Sequence, residues 1–342
     1  MAQRIVKVST SELTLRLFGS FDSNVKEIEG AFGVSIRNRE TEDGNAIIVD
    51  GEGEAIHLAA EVITYLLEVA RINESIDGQT LRYAIDMVKT GQGAALAGLD
   101  DDCICITHRS KPIKAKTVGQ KQYVDMIGKN TIILGVGPAG TGKTFLAVAM
   151  AVKALRAKQV SRIILTRPAI EAGEKLGFLP GDLQSKIDPY LRPLYDALYE
   201  MIGTEAYARY VEKGTIEIAP LAYMRGRTLD DSFIILDEAQ NATPEQMKMF
   251  LTRLGFNSKM VVTGDLTQTD LPFGQKSGLA SVVKILDNIE DIAIHHFTER
   301  DVVRHKLVQK IILAYEKHER ESARKAEEAR KRYTGRPTKD KN

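Results

Sequence analysis

The chain of 342 residues is 43% hydrophobic and 27% charged, the balance of an ordinary globular protein long enough to bury a core without disulfide or metal staples. Its 47 Lys and Arg against 46 Asp and Glu leave a net charge of +1, which excludes polyanion binding carried by whole-chain charge; any nucleic-acid site must come from local clustering. Two cysteines, no secretory leader and no long apolar run lead to the expectation of a reducing cytoplasm, with no disulfide and no membrane span.

Residues 1–75 read as a small α+β domain. Leu13-Thr-Leu-Arg-Leu-Phe18 alternates like an extended segment and stops at Gly19. Asn24 with Glu27 three residues on marks a helix start, Val25, Ile28 and Phe32 share one helical face, and Gly33 closes it. Val34 to Arg37, a turn through Glu42-Asp43-Gly44-Asn45, and Ala46 to Val49 form a predicted hairpin. A longer helix follows from about Glu54 to Asn73, with Ile56, Ala59, Ile63, Leu67 and Ala70 at core spacing. Residues 76–116 read as a connector holding a helix around Leu81 to Lys89, the flexible Gly91-Gln-Gly93 and the acidic Asp100-Asp-Asp102.

From 117 to 320 the pattern changes to apolar strands alternating with helices: Thr131 to Val136, Arg162 to Thr166, Ser232 to Asp237, Met260 to Thr263 and Ile292 to His296. Near-continuous Ile, Val and Leu runs are what a mainly parallel sheet covered on both faces requires, so the fold class is α/β. Residues 321–342 are charged and small, and read as a disordered tail.

Gly137-Pro138-Ala139-Gly140-Thr141-Gly142-Lys143-Thr144 fits G-x-x-x-x-G-K-[ST] and lies between a predicted strand and a predicted helix at Phe145 to Ala157, the context that a P-loop needs. The glycines let backbone N–H groups curl around phosphates at a helix N-terminus. Lys143, expected to be solvated until a nucleotide arrives, reaches the β and γ phosphates, and the Thr144 hydroxyl binds Mg. The apolar run Phe233 to Leu236 delivers Asp237 to a strand end as the second Mg residue and places Glu238 to polarise water. Val261-Val-Thr263-Gly-Asp265-Leu-Thr-Gln268 presents Gln268 either to position water or to report the γ-phosphate. Gln120, upstream of the first core strand, is placed either to read adenine by two hydrogen bonds or simply to be solvated. Arg225, Arg227, Arg300 and Arg304 are candidates for an arginine finger, a nucleic-acid contact or structural pairing. Cys103 and Cys105 lack the second pair that a metal site needs, and His295 and His296 at a strand end read as packing residues.

The P-loop, Thr166-Arg167-Pro168-Ala, Gly177-Phe-Leu-Pro-Gly181, Met224-Arg-Gly-Arg-Thr228, Asp237-Glu-Ala-Gln240-Asn and Asp301-Val-Val-Arg304-His together resemble the PhoH-like proteins over residues 1–320. The resemblance implies a RecA/helicase-like P-loop NTPase core related to superfamily-one helicases, preceded by a KH-like domain. It also implies a cytoplasmic ATPase using ATP and Mg, first associated with phosphate starvation, that works on RNA, expected single-stranded, in a family some of whose members are RNA helicases or partners of an endoribonuclease. The G-x-x-G loop of a KH fold is degraded here, because Gly19-Ser-Phe-Asp22 lacks the second glycine. A superfamily-one motor works a cleft between two cores, yet the chain after residue 110 has room for one. A homo-oligomer, expected as a ring, must then supply the second wall, with Arg304, and after it Arg300, as the residue contributed across the interface. Three functions compete: an ATPase coupled to RNA binding or remodelling, a nucleotide-gated RNA-binding regulator with trivial turnover, and a small-molecule kinase. The last is disfavoured, because Glu238 and Gln268 suit activation of water.

Overall fold

The computed structural model describes residues 2–41, 44–99, 103–168, 183–272 and 274–304, with 307, 308, 311, 314 and 315 beyond them; 41, 44 and 183–190 are described by backbone alone. The turn residues Glu42 and Asp43, the acidic 100–102, Gly177-Phe-Leu-Pro-Gly181 and the 321–342 tail lie outside the described residues. The chain divides into a unit Met1–Val302 and a second unit from Val303 onward.

The first part is a three-stranded antiparallel sheet of β1 (Ala2–Val8), β2 (Ser35–Thr41) and β3 (Gly44–Gly51), ordered β1-β3-β2. Helices α1 (Ser11–Phe18), α2 (Ser23–Phe32), α3 (Ala55–Ile72) and α4 (Gly78–Lys89) accompany it, and Leu17, Ile28, Ile47, Ile63 and Leu81 meet in one core. The segment Leu13 to Phe18 is helical, not extended. Thr10 caps it by accepting from the Leu13 N–H, Thr14 and Leu17 face the core, and Leu15 is left 73% exposed, so the leucine alternation is a coincidence of a short helix. The helix expected to start at Asn24 begins one residue earlier, at Ser23, and the Asn24 amide donates to the Leu17 carbonyl at 3.0 Å. Gly33 does close α2 in left-handed backbone, φ 68°. α4 and Leu96 share this core, whereas the small hairpin β4 (Cys105–Ile106) and β5 (Pro112–Ile113) packs with the larger domain that follows.

That domain is built on six parallel strands in the order β11-β6-β10-β9-β7-β8. They are β6 (Ile132–Val136), β7 (Arg162–Arg167), β8 (Ile216–Pro220), β9 (Ser232–Leu236), β10 (Lys259–Gly264) and β11 (Ile292–His296). Helices α5 (Val118–Lys129), α6 (Lys143–Arg156), α7 (Leu183–Ile202), α8 (Thr204–Glu212), α9 (Pro244–Leu251) and α10 (Gly278–Ile285) connect and cover them. The strand period of two divides the sheet's apolar residues cleanly. Ile133, Ile163, Leu165, Phe233, Ile235 and Val261 pack with α6 and α7. Leu134, Ile164, Ile234, Leu236, Met260 and Val262 pack with α9 and α10. This is the expected α/β sandwich. Because α6 carries the chain from β6 past the positions of β10 and β9 to β7, the strand order reverses beside β6. The crevice over the carboxyl ends of the strands there is where such sheets bind ligands.

Candidate nucleotide site

Leaving β6, the chain turns through 137–142 into α6. Gly140 and Gly142 have φ of 87° and 79°. Gly137, at φ 152°, passes so close to β11 that a Cβ would sit 2.7 Å from the Phe297 carbonyl oxygen. Gly142 precedes α6 without a side-chain cap, so the first-turn N–H groups keep their donor capacity for a ligand in the crevice. Lys143 departs from the solvated expectation. Its side chain is 8% exposed and its ammonium donates to the Gly137 and Pro138 carbonyls at 2.6 and 2.7 Å. An ammonium in a partly desolvated loop needs acceptors, and the loop's own carbonyls provide them.

Asp237, buried at the end of β9, accepts from Thr144 Oγ1 at 2.6 Å and from Thr263 Oγ1 at 2.8 Å. Thr263 stands on β10, between β6 and β9, and was not singled out from sequence. A hydroxyl and a carboxylate converging beside a phosphate loop fit Mg, which is held by one or two protein oxygens together with substrate phosphates and water. Among the described residues no cluster of three or more His, Cys, Asp or Glu forms an all-protein metal cage.

Glu238 follows in left-handed backbone at φ 53°, a conformation costing a non-glycine residue roughly 1–3 kcal/mol. It is held there by Arg167 at the end of β7, whose Nη2 lies 3.0 Å from Glu238 Oε1 while its Nε lies 3.9 Å from Asp237 Oδ2. The amide of buried Gln240 donates to Glu238 Oε2, and its carbonyl accepts from the Asp265 N–H at 3.0 Å, tying the β9 loop to the β10 loop. Asn241 continues the stitch by accepting from the Asp270 N–H at 2.9 Å. Gln268 lies on the loop so fixed, exposed and lining the cleft. The cleft is about 500 Å³, and its far wall is α7, through Pro193, Asp196 and Glu200. Five carboxylates line it among the described residues, Asp196, Glu200, Asp237, Glu238 and Asp265, against the two cations Lys143 and Arg167. A larger cavity of about 650 Å³ lies in the N-terminal domain and contains none of these groups.

Beneath the loop, Tyr123 is fully buried against Gly135 and packs edge-on to Phe297; burial pushes its phenol up, and the charge of Asp237 adds to this. Gln120 is neither solvated nor open to a base. It is 4% exposed, its carbonyl accepts from Lys116 N–H at 2.7 Å, and its amide donates to the Thr141 carbonyl at 3.0 Å, so it buttresses the loop from behind. Arg227 is spoken for by two bonds to Glu217 at 2.6 and 2.7 Å, and Arg300 by Asp86, Thr90 and Gln92 of its own chain. Arg225 is exposed and Arg304, in the second unit, is half-buried. His295 is buried beside Tyr123 and Phe297, and Cys103 and Cys105 are free, one exposed and one buried. Among the described residues no helix is long and apolar enough to cross a membrane.

The sequence model of the family described as PhoH-like protein matches residues 112–316. A PhoH-like protein of Mycobacterium bovis is 53% identical over 90% of this chain and 86% of its own length, and one of Bacillus subtilis is 50% identical over 91% and 96%. The Escherichia coli protein PhoH is 47% identical over 60% of this chain and 59% of its own length. A P-loop, an acidic strand end and a six-stranded parallel sheet thus stand in a chain whose match to such proteins runs through both the N-terminal domain and the core: it belongs to the PhoH-like protein family.

Proposed function

We propose that this protein is a Mg-dependent ATPase that couples hydrolysis to the binding or remodelling of RNA. The observation that carries the reading is the convergence of Lys143, Thr144, Asp237 and Glu238 on one cleft, with Thr144 and Asp237 in direct contact. Loop N–H groups and the α6 N-terminus bind the phosphates, and Lys143 exchanges its two loop carbonyls for phosphate oxygens. Thr144 and Asp237 would hold Mg, which would supply positive charge to the phosphates. Glu238 orients a water and takes its proton as the water oxygen bonds to the γ-phosphorus and the bond to ADP breaks; Gln268 contacts the same region.

Charge supports a further contribution from outside the chain. Among the described residues five carboxylates face two cations, an excess that one Mg ion would not balance against a polyanionic nucleotide, so added positive charge would favour binding. Arg304 of a neighbouring subunit in a ring is the proposed source. Inactive Lys143→Ala and Arg304→Ala subunits, mixed under conditions of exchange, should then recover some turnover, and none if the arginine serves its own chain.

Phosphate release with and without single-stranded RNA tests the function itself. Strong stimulation is the expected result; slow turnover indifferent to RNA marks a nucleotide-gated regulator, and consumption that requires an added metabolite marks a kinase.

A further inference from the structure

Arg167 meets the two acids on which the proposed reaction depends, and it meets them from an unexpected side. In the order β6-β10-β9-β7, three strand spacings of roughly 4.8 Å place the end of β7 about 14 Å from the end of β6. The phosphate loop therefore lies on one side of Asp237 and Glu238, and Arg167 on the other. Both oxygens of Glu238 have a donor in front of them: Oε1 faces the Arg167 guanidinium at 3.0 Å, and Oε2 faces the Gln240 amide. Gln240 is locked, because its carbonyl is held by the Asp265 N–H and its side chain is buried. Arg167 is the more accessible of the two donors, one-fifth exposed and lining the cleft.

A carboxylate aimed at a guanidinium does not aim at a water. We propose that the Arg167–Glu238 ion pair is a latch on the water-activating carboxylate, opened when a phosphodiester oxyanion of bound RNA takes the guanidinium. The proposal rests on the RNA-coupled reading above and names the contact through which coupling passes. The chemistry suits the exchange, since a guanidinium fork binds phosphate in the same two-point geometry as carboxylate. A γ-phosphate held by the loop stands on the β6 side of the two acids, and Arg167 stands on the β7 side. Arg167 is thus a positioning residue: it acts on the reaction through Glu238.

The test uses the full-length protein, with phosphate release measured across Mg-ATP concentrations with and without poly(U). Wild type should be stimulated by poly(U). Arg167→Gln should raise kcat without poly(U) at least about threefold, toward the stimulated wild-type level, with KM changed less than about twofold and no further effect of poly(U). Arg167→Lys, which keeps the charge but not the fork, should recover part of the poly(U) dependence, and it carries the test if Arg167→Gln does not fold. A lowered kcat with raised KM and undiminished stimulation would mean that Arg167 serves the nucleotide's own phosphates, and would overturn the latch, as would kinetics identical to wild type. If wild type ignores poly(U), the RNA-coupled reading fails separately. A raised kcat in Arg167→Gln then still supports the restraint on Glu238, and an unchanged one removes it.

Discussion

Thr144 and Asp237, 93 residues apart in the chain, stand with their side-chain oxygens 2.6 Å from each other because α6 and β9 both open onto the same edge of the sheet. Asp237 also accepts from Thr263, so its position is fixed from two strands before any cation arrives. We expect Asp237→Asn to weaken nucleotide affinity in Mg while leaving affinity in excess chelator little changed. Titration of a fluorescent ATP analogue with and without Mg measures this, and equal losses in the two conditions would argue against a metal role.

Gly264, at the end of β10, has no room for a side chain: a Cβ there would lie 2.5 Å from Leu279 and 2.8 Å from Gln240 Oε1. Gly264→Ala should therefore destabilise the fold by about 1–3 kcal/mol through overpacking. It should also lower kcat, by displacing the amide that orients Glu238. Denaturant unfolding and steady-state kinetics give the two numbers; a stable variant with parental kcat contradicts the role given to Gln240.

His295 is buried beneath the phosphate loop, and burial lowers its proton affinity below the ordinary imidazole value of 6.5, against the opposing pull of Asp301. Its folded pKa thus lies under its unfolded one. The unfolded chain takes the proton first as pH falls below about 6.5, so stability is complete above that value and declines toward the lowered one. Thermal unfolding followed from about pH 7.5 to about pH 5.5 should show a steeper fall in wild type than in His295→Phe. Parallel curves would mean that His295 does not titrate in this window.

The N-terminal domain touches the core at identifiable points: Tyr83 accepts from the Val118 N–H at 2.8 Å, and Arg300 reaches Asp86 and Gln92 of the segment after α3. Its apolar core is separate from those around the large sheet. Removal of residues 1–100 should leave basal ATPase activity largely in place and weaken RNA affinity, with binding that falls as salt rises. Anisotropy of a labelled single-stranded RNA checks it; unchanged affinity would reassign the domain to assembly or partner docking.

The parts of this molecule legible in the sequence are those where one requirement leaves few residues possible. Glycines at 137, 140 and 142 answer to backbone geometry, and the interior strands β6, β7, β9 and β10 answer to burial on both faces. Strands β1 and β8 escaped detection because neither presents a sustained apolar run: β1 is mostly exposed, and β8 buries only Ile216, Ala219 and Pro220. The partnerships of Arg167, Gln240 and Thr263 were not legible, since each exists only once the parallel register brings neighbouring strand ends together. Gln120 shows the converse, a polar residue whose two plausible readings both missed the loop carbonyl it holds.

In the proposed reaction Lys143 and Glu238 act on the same bound nucleotide at different stages. Phosphate release and ATP binding in Mg, measured side by side for wild type, Lys143→Ala and Glu238→Gln, test it most directly. Turnover should fall at least about a hundredfold in both folded variants, with ATP affinity kept near the parental value in Glu238→Gln and lost in Lys143→Ala. Near-parental hydrolysis by either folded variant would contradict it.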